Sequence, residues 1–332
     1  MANLVSLKKL FPGLAVAGTV GLAASFLSEH YGAPAMLFAL LLGMALSFLS
    51  EQERTMPGLM TAGSTILRVG VALLGFRIAW QDVMAVGWKP VLMIAVAIGL
   101  TIGFGVLVAR LFGQRRRFGL LTGGAVAICG ASAALALSSV LPKGENSERD
   151  TAFTVIGITS LSTAAMILYP LIASSLGLDA HQAGIFLGAT IHDVAQVVGA
   201  GYSLSTEAGD IATLTKLMRV AFLVPVVMLT VMSFRRSGIA AGDGASPTLL
   251  PPFLVAFVAI VAINSLISIP AVVTETMGTL SRLCLLVAIA AIGLKTDMRK
   301  LTDVGLKPVL LMLAETVWLA LIVLVALPFV DM

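Results

Sequence analysis

Apolar residues run along this chain in blocks of about 20, separated by short stretches that carry most of the charge. A block of that length crosses hydrocarbon as a helix, and the pattern predicts about eleven spans. They lie near 10–28, 33–50, 60–80, 90–110, 118–141, 151–176, 182–203, 211–234, 250–270, 276–296 and 308–330. Two depart from simple lipid-facing helix. The seventh carries His192, Asp193 and Gln196. The fifth, within Phe118 to Pro142, is long enough to cross but has a small-residue centre flanked by Ala-rich segments, in which Gly123, Gly124, Gly130 and Ser132 weaken the helical preference. It reads as two half-helices meeting near Cys129, Gly130, Ala131 and Ser132. A helix that breaks at membrane depth is tolerated only inside protein or beside a cavity. Its second half would start there with free backbone N–H groups and a positive dipole end, an anion site made from backbone. A small-residue packing face for a neighbouring helix explains the same residues equally well.

Composition places the whole chain in the bilayer. Of 332 residues 58% are apolar and 11% charged, and the mean hydropathy is +1.03. A soluble domain carries about a quarter charged residues. The expected fold class is therefore an all-α polytopic membrane protein, with 1–332 forming one transporter domain. The net charge of +4 gives no reason to expect nucleic acid, because basic residues in such a chain report orientation. With a cytoplasmic N-terminus, thirteen Lys and Arg fall inside (Lys8, Lys9, Arg54, Arg110, Arg115, Arg116, Arg117, Arg235, Arg236, Lys295, Arg299, Lys300, Lys307) and four outside (Arg77, Lys89, Lys143, Arg149). That bias predicts an inner-membrane protein with an external C-terminus. Lys8 and Lys9 before an apolar run look like a signal peptide, but a second span follows directly, so the first is expected to stay as a signal anchor. Cys129 and Cys284 both sit in apolar runs, which excludes a disulfide framework, and no metal or nucleotide motif occurs. No cofactor is expected beyond a coupling Na⁺ or H⁺.

The chain also repeats itself. Val86 to Leu92 (VGWKPVL) matches Val304 to Leu310 (VGLKPVL) at six of seven positions. At the same offset of 218, Pro34 falls on Pro252, Ser47 on Ser265, Gly75 on Gly293 and Arg77 on Lys295. Segments of about 34–95 and 252–313 are so related, leaving 118–176 and 182–234 as core segments. An odd number of intervening spans makes the repeat inverted, the architecture of secondary transporters that alternate access around a midplane site. A reused loop-to-helix turn with Pro at the helix start is the plainer reading.

Ionisable groups at membrane depth cost roughly 2.5–3.5 kcal/mol each on insertion scales. Arg68, Lys216, Arg219 and Arg282 lie within spans, with Lys216 and Arg219 on one helix face. Arg68 and Arg219 are the deeper pair and are candidate substrate contacts, while Lys216 and Arg282 are near enough to span ends to snorkel. His192, Asp193 and Gln196 would share one helical face. His192 is a candidate proton carrier, Asp193 a candidate partner of Arg219 or ligand of Na⁺, and Gln196 a candidate substrate contact. A purely structural polar network is the other reading. The carboxylates clearly within spans are Asp193 and Glu315, so the interior leans positive and favours an anionic substrate.

The segments ILRVGVALLGFRI (66–78), ICGASAALA (128–136), Tyr169-Pro170, GATIHDVAQVVGAG (188–201) and KLMRVAFLVP (216–225) together resemble the YeiH-type sulfate exporter family. The resemblance runs from about residue 30 to near the end, with ICGASA and HDVAQV as its most specific motifs. It implies a core of crossing discontinuous helices beside a panel domain, as in bile-acid-type and cation/proton-antiporter-like transporters, and a role in anion transport. It leaves open which helix is the second crossing element, His192 to Gln196 being the candidate by content. The expected function is secondary active transport of a small anion, sulfate or a sulfonate, bound at Cys129 to Ser132 with Arg68 and Arg219 offsetting its charge. A passive anion channel and an intramembrane enzyme using His192, Asp193 and Cys129 are the alternatives. The expected partners are that anion, the lipid bilayer and a second copy of the chain.

Overall fold

A computed structural model describes residues 2–31, 35–76, 87–142, 146–236, 252–267, 269–295 and 306–330. Among them every extended element is helical and there is no strand. The helices are α1 (Ala2–Tyr31), α2 (Ala35–Ala45), α3 (Met56–Leu74), α4 (Trp88–Leu111), α5 (Arg116–Ala127), α6 (Ala131–Val140) and α7 (Ser147–Ser175). There follow α8 (Ala180–Thr190), α9 (Val194–Leu204), α10 (Thr206–Ala221), α11 (Leu223–Arg236), α12 (Pro252–Leu266), α13 (Ala271–Lys295) and α14 (Leu306–Val330). Seven described helical runs are long and apolar enough to cross a bilayer, and α2, α6, α9 and α12 are shorter apolar helices. The fold is that of an all-α polytopic membrane protein.

Packing divides the helices into two groups. One is α1, α2, α3, α12 and α13, in which α13 lies against α1, α2 and α3. The other gathers α4 to α11 with α14, and α9 joins the groups by touching α2 and α13. Close approach is achieved with small residues, as bilayer helices require. A methyl on Gly119 of α5 would sit 2.3 Å from the Gly105 carbonyl oxygen of α4, so these two backbones touch. Gly123 lies one turn on, against the Thr101 carbonyl. The packing reading of the Gly-rich stretch is therefore correct for α5, and the broken-helix reading for the residues after it.

The offset of 218 maps helices as well as letters. Added to the bounds of α2, α3 and α4 it gives 253–263, 274–292 and 306–329, which fall within α12, α13 and α14. Contacts exchange in the same way: α2 packs on α13, and α3 packs on α12. Within the repeated blocks, Val86, Val304 and Gly305 lie outside the described residues, as do Pro34, Arg77, Lys143, Arg299 and Lys300.

Candidate functional site: two broken helices that share their cations

The helix from Arg116 stops at Ala127. Ile128 takes φ −112° and ψ −85°, and Gly130 takes φ 64° and ψ −125°, a left-handed backbone that side chains disfavour. Gly130 N–H closes the turn on the Ala125 carbonyl at 2.8 Å, and α6 restarts with Ala134 N–H on the Gly130 carbonyl at 3.0 Å. A second break follows in the seventh predicted span. Ile191 (ψ 140°) and Asp193 (ψ 141°) are extended between α8 and α9. The two breaks meet: a Cβ on Gly130 would lie 3.5 Å from the His192 Cβ and 3.6 Å from its carbonyl oxygen. Residues 191–193 thus provide the second discontinuous element. They are not helical, so His192, Asp193 and Gln196 do not form one helical face as the spacing suggested.

Each break leaves C-terminal carbonyls without intrahelical donors, and burying them unpaired would cost about 1–3 kcal/mol apiece. Lys216 and Arg219, both on α10 and at most 1% exposed, supply the donors. Lys216 Nζ donates to the carbonyls of Ile128 (2.7 Å) and Ile191 (3.0 Å). Arg219 donates from Nε to Ala127 (3.0 Å), from Nη1 to Gly188 (3.1 Å) and Ile191 (3.0 Å), and from Nη2 to Val126 (2.9 Å). Two cations one helical turn apart therefore cap the negative dipole ends of α5 and α8 together. Lys216 does not snorkel, and Arg219 does not pair with Asp193. Its donors go to carbonyl oxygens, which makes it a fastener of the two breaks.

Asp193 instead caps α9, accepting from Ala195 N–H at 2.8 Å, while its own N–H donates to Ser162 Oγ of α7 at 3.0 Å. Gln196 Nε2 donates to Thr163 Oγ1 at 2.8 Å, and its buried Oε1 has no hydrogen-bond partner. His192 is fully buried, its Nδ1 3.2 Å from the Val126 carbonyl and its Nε2 3.0 Å from Thr316 Oγ1 of α14. A carbonyl only accepts, so Nδ1 carries a proton and donates. The start of α6 differs from that of α9: its N-cap is Gly130, which has no side-chain cap hydrogen bond, with Ser132 exposed and Ala131 half-buried. Cys129 is buried beside it as a free thiol.

Arg68 is not part of this arrangement. It is exposed on α3, just beyond a π-helical turn at Ala62–Ile66, and α3 packs against α1, α12 and α13. Periodicity placed Arg68 at depth but could not say which way it faced. Arg282 is likewise exposed on α13 and lines a cavity of about 660 Å³ with Asn264, Thr274 and Glu275. Ser162, Thr163 and Thr316, which hold the second break, were missed. The adjacent hydroxyls Ser162-Thr163 inside an apolar span were the available signal.

An all-helical membrane protein organised round two abutting helix breaks with shared buried cations defines the class. The chain belongs to the family described as Conserved hypothetical protein 698, whose model matches residues 12–312. It is 54% identical to a UPF0324 membrane protein of Chlorobaculum tepidum, over 95% of this chain and 88% of that one. It is 52% identical to the UPF0324 membrane protein TauZ of Paracoccus denitrificans, over 96% and 94%. A sodium proton antiporter from Methanocaldococcus jannaschii overlaps 97% of the chain at 15% identity, but a TM-score of 0.28 carries no argument.

Proposed function

We propose that this protein is a secondary active transporter of a small anion, sulfate or a sulfonate, held where the two broken helices meet. The observation that carries the reading is the unequal treatment of the helix ends. The carbonyl ends of α5 and α8 are neutralised by Lys216 and Arg219, and the N-terminus of α9 by Asp193, whereas α6 begins at Gly130 with no charged cap, only the Cys129 thiol lying against Ala133 N–H. Backbone N–H groups of Ala131 and Ser132 and the Ser132 hydroxyl are the anion's donors in this reading. Asp193 lies in the adjoining break and favours a substrate bearing a cationic group beside its anionic one. An aminosulfonate such as taurine satisfies both ends, while sulfate satisfies one. The helices related by the 218-residue offset fit a carrier built from inverted repeats.

A thermal-shift screen of purified protein against sulfate, sulfite, thiosulfate, taurine and carboxylates identifies the anion class. Countertransport in proteoliposomes then separates carrier from channel. Acceleration of labelled efflux by anion on the opposite side supports the carrier, and its absence supports the passive channel.

A further inference from the structure

The buried carboxylate that the preceding reading leaves unused is Glu315, in the middle of α14 and 0% exposed. Its Oε1 lies 2.7 Å from Thr122 Oγ1 of α5, and its Oε2 is buried with no hydrogen-bond partner. Gly105 of α4 also comes close to it: a methyl there would lie 2.5 Å from Oε1. The other ionisable side chains described on the helices packed against α14 sit near helix ends (Lys89, Arg110, Arg116, Arg117, Arg149, Asp150, His181), except Tyr169, which lies against Phe186. His192 reaches α14 at Thr316, the next residue to Glu315, and Lys216 and Arg219 are turned onto carbonyls. An ionised carboxylate without a cation or a full set of donors is a costly thing to bury.

Hydrogen-bond accounting gives the same answer. Thr122 has one proton and three acceptors in reach, Glu315 Oε1, the Phe118 carbonyl at 3.1 Å and the Gly119 carbonyl at 3.4 Å. If Glu315 carries a proton, its O–H donates to Thr122 Oγ1 and Thr122 donates to Phe118, so both bonds are made. If Glu315 is ionised, Thr122 must turn to it, and Oε2 keeps a buried charge with no donor. The Thr316 hydroxyl stands in a similar position between His192 Nε2 and the Met312 carbonyl, 2.8 Å away. Positions 315 and 316 therefore connect α14 to one arm of the first broken helix and to the break in the second.

We propose that Glu315 is a proton-binding site that couples substrate movement to proton movement. One proton joins the carboxylate to form the neutral acid and leaves it again in each cycle. The neutral acid locks α14 against α5 in the arrangement seen here, and loss of the proton releases that contact by forcing water or a donor into the site. A structural hydrogen bond alone would be served as well by Gln, without a buried acid.

The proposal rests on the transport reading, and the experiment keeps the two apart. Wild type and Glu315→Gln are reconstituted with taurine or sulfate inside and a pH gradient imposed, with substrate flux and internal pH followed together. Wild type should show gradient-driven flux accompanied by proton movement, and E315Q should lose both the response to the gradient and the proton movement. Gradient-driven flux with proton movement in E315Q overturns the proton site while leaving anion transport standing. Failure of wild type to move any anion instead defeats the transport reading. Infrared difference spectroscopy adds a readout that needs no transport: a protonated carboxyl band that titrates in wild type and is absent from folded E315Q supports the site. The absence of any titrating carboxyl band in wild type overturns it.

Discussion

Replacing Arg219 with Lys keeps the charge and removes the fork, and the geometry says what that costs. Arg219 spreads three nitrogens over four carbonyl oxygens, on Val126, Ala127, Gly188 and Ile191. A single ammonium cannot occupy all three nitrogen positions; Val126 keeps His192 and Ile191 keeps Lys216, so Ala127 or Gly188, or both, lose their donor. Each buried carbonyl left unpaired costs about 1–3 kcal/mol, giving roughly 1–6 kcal/mol for Arg219→Lys. Interhelical hydrogen bonds in bilayers average nearer 0.6 kcal/mol, which pulls the expectation toward the lower end, about 1–3 kcal/mol. By the scaling for soluble domains that is on the order of 2–10 °C in melting temperature. The assay is thermal melting of the purified protein in detergent, with substrate affinity measured on the same samples. Substrate affinity of the folded fraction should change little. A variant that melts like wild type but loses substrate binding would show that Arg219 contacts substrate and that the fastener account is wrong.

Three further expectations follow from the same geometry. Gly130→Ala meets only ordinary contacts at 3.5 Å, so its cost is the backbone strain of a side chain at φ 64° and ψ −125°, about 1–3 kcal/mol, read as a fall in melting temperature; a loss several times larger would mean the break is more crowded than described. Arg68→Ala should leave both the melting temperature and substrate affinity within error, because the side chain is exposed away from the breaks, and a tenfold loss of affinity would return Arg68 to the site. A reporter fused after Met332 should report an external C-terminus and one inserted at Gln114, before α5, a cytoplasmic site, with both signals reversed refuting the orientation drawn from the basic residues.

The break at Gly130 was legible because a cluster of small residues in an otherwise apolar span has no simple lipid-facing explanation. The second break was legible by content, since His192 and Asp193 are expensive at depth. What local pattern could not supply was the pairing across the bundle. Lys216 and Arg219 look like substrate ligands or snorkelling groups until α5 and α8 are seen to end against α10, 88 to 93 and 25 to 31 residues away in sequence. Asp193 looked like a partner for Arg219, yet the same chemistry that makes it acidic makes it a helix cap, and the nearer donors were backbone. Glu315 was visible as a carboxylate in a span, but its lack of a cation partner among the described residues is a property of the packing.

The most direct test of the account is substrate binding to Ser132→Leu. Ser132 is exposed at the start of α6, so the larger side chain has room and the fold should survive with an unchanged melting temperature. If the anion sits on the N–H groups there, isothermal titration with taurine and with sulfate should show binding to wild type and none to S132L. Wild-type affinity in a folded S132L protein would contradict the claim that the broken helix holds the substrate.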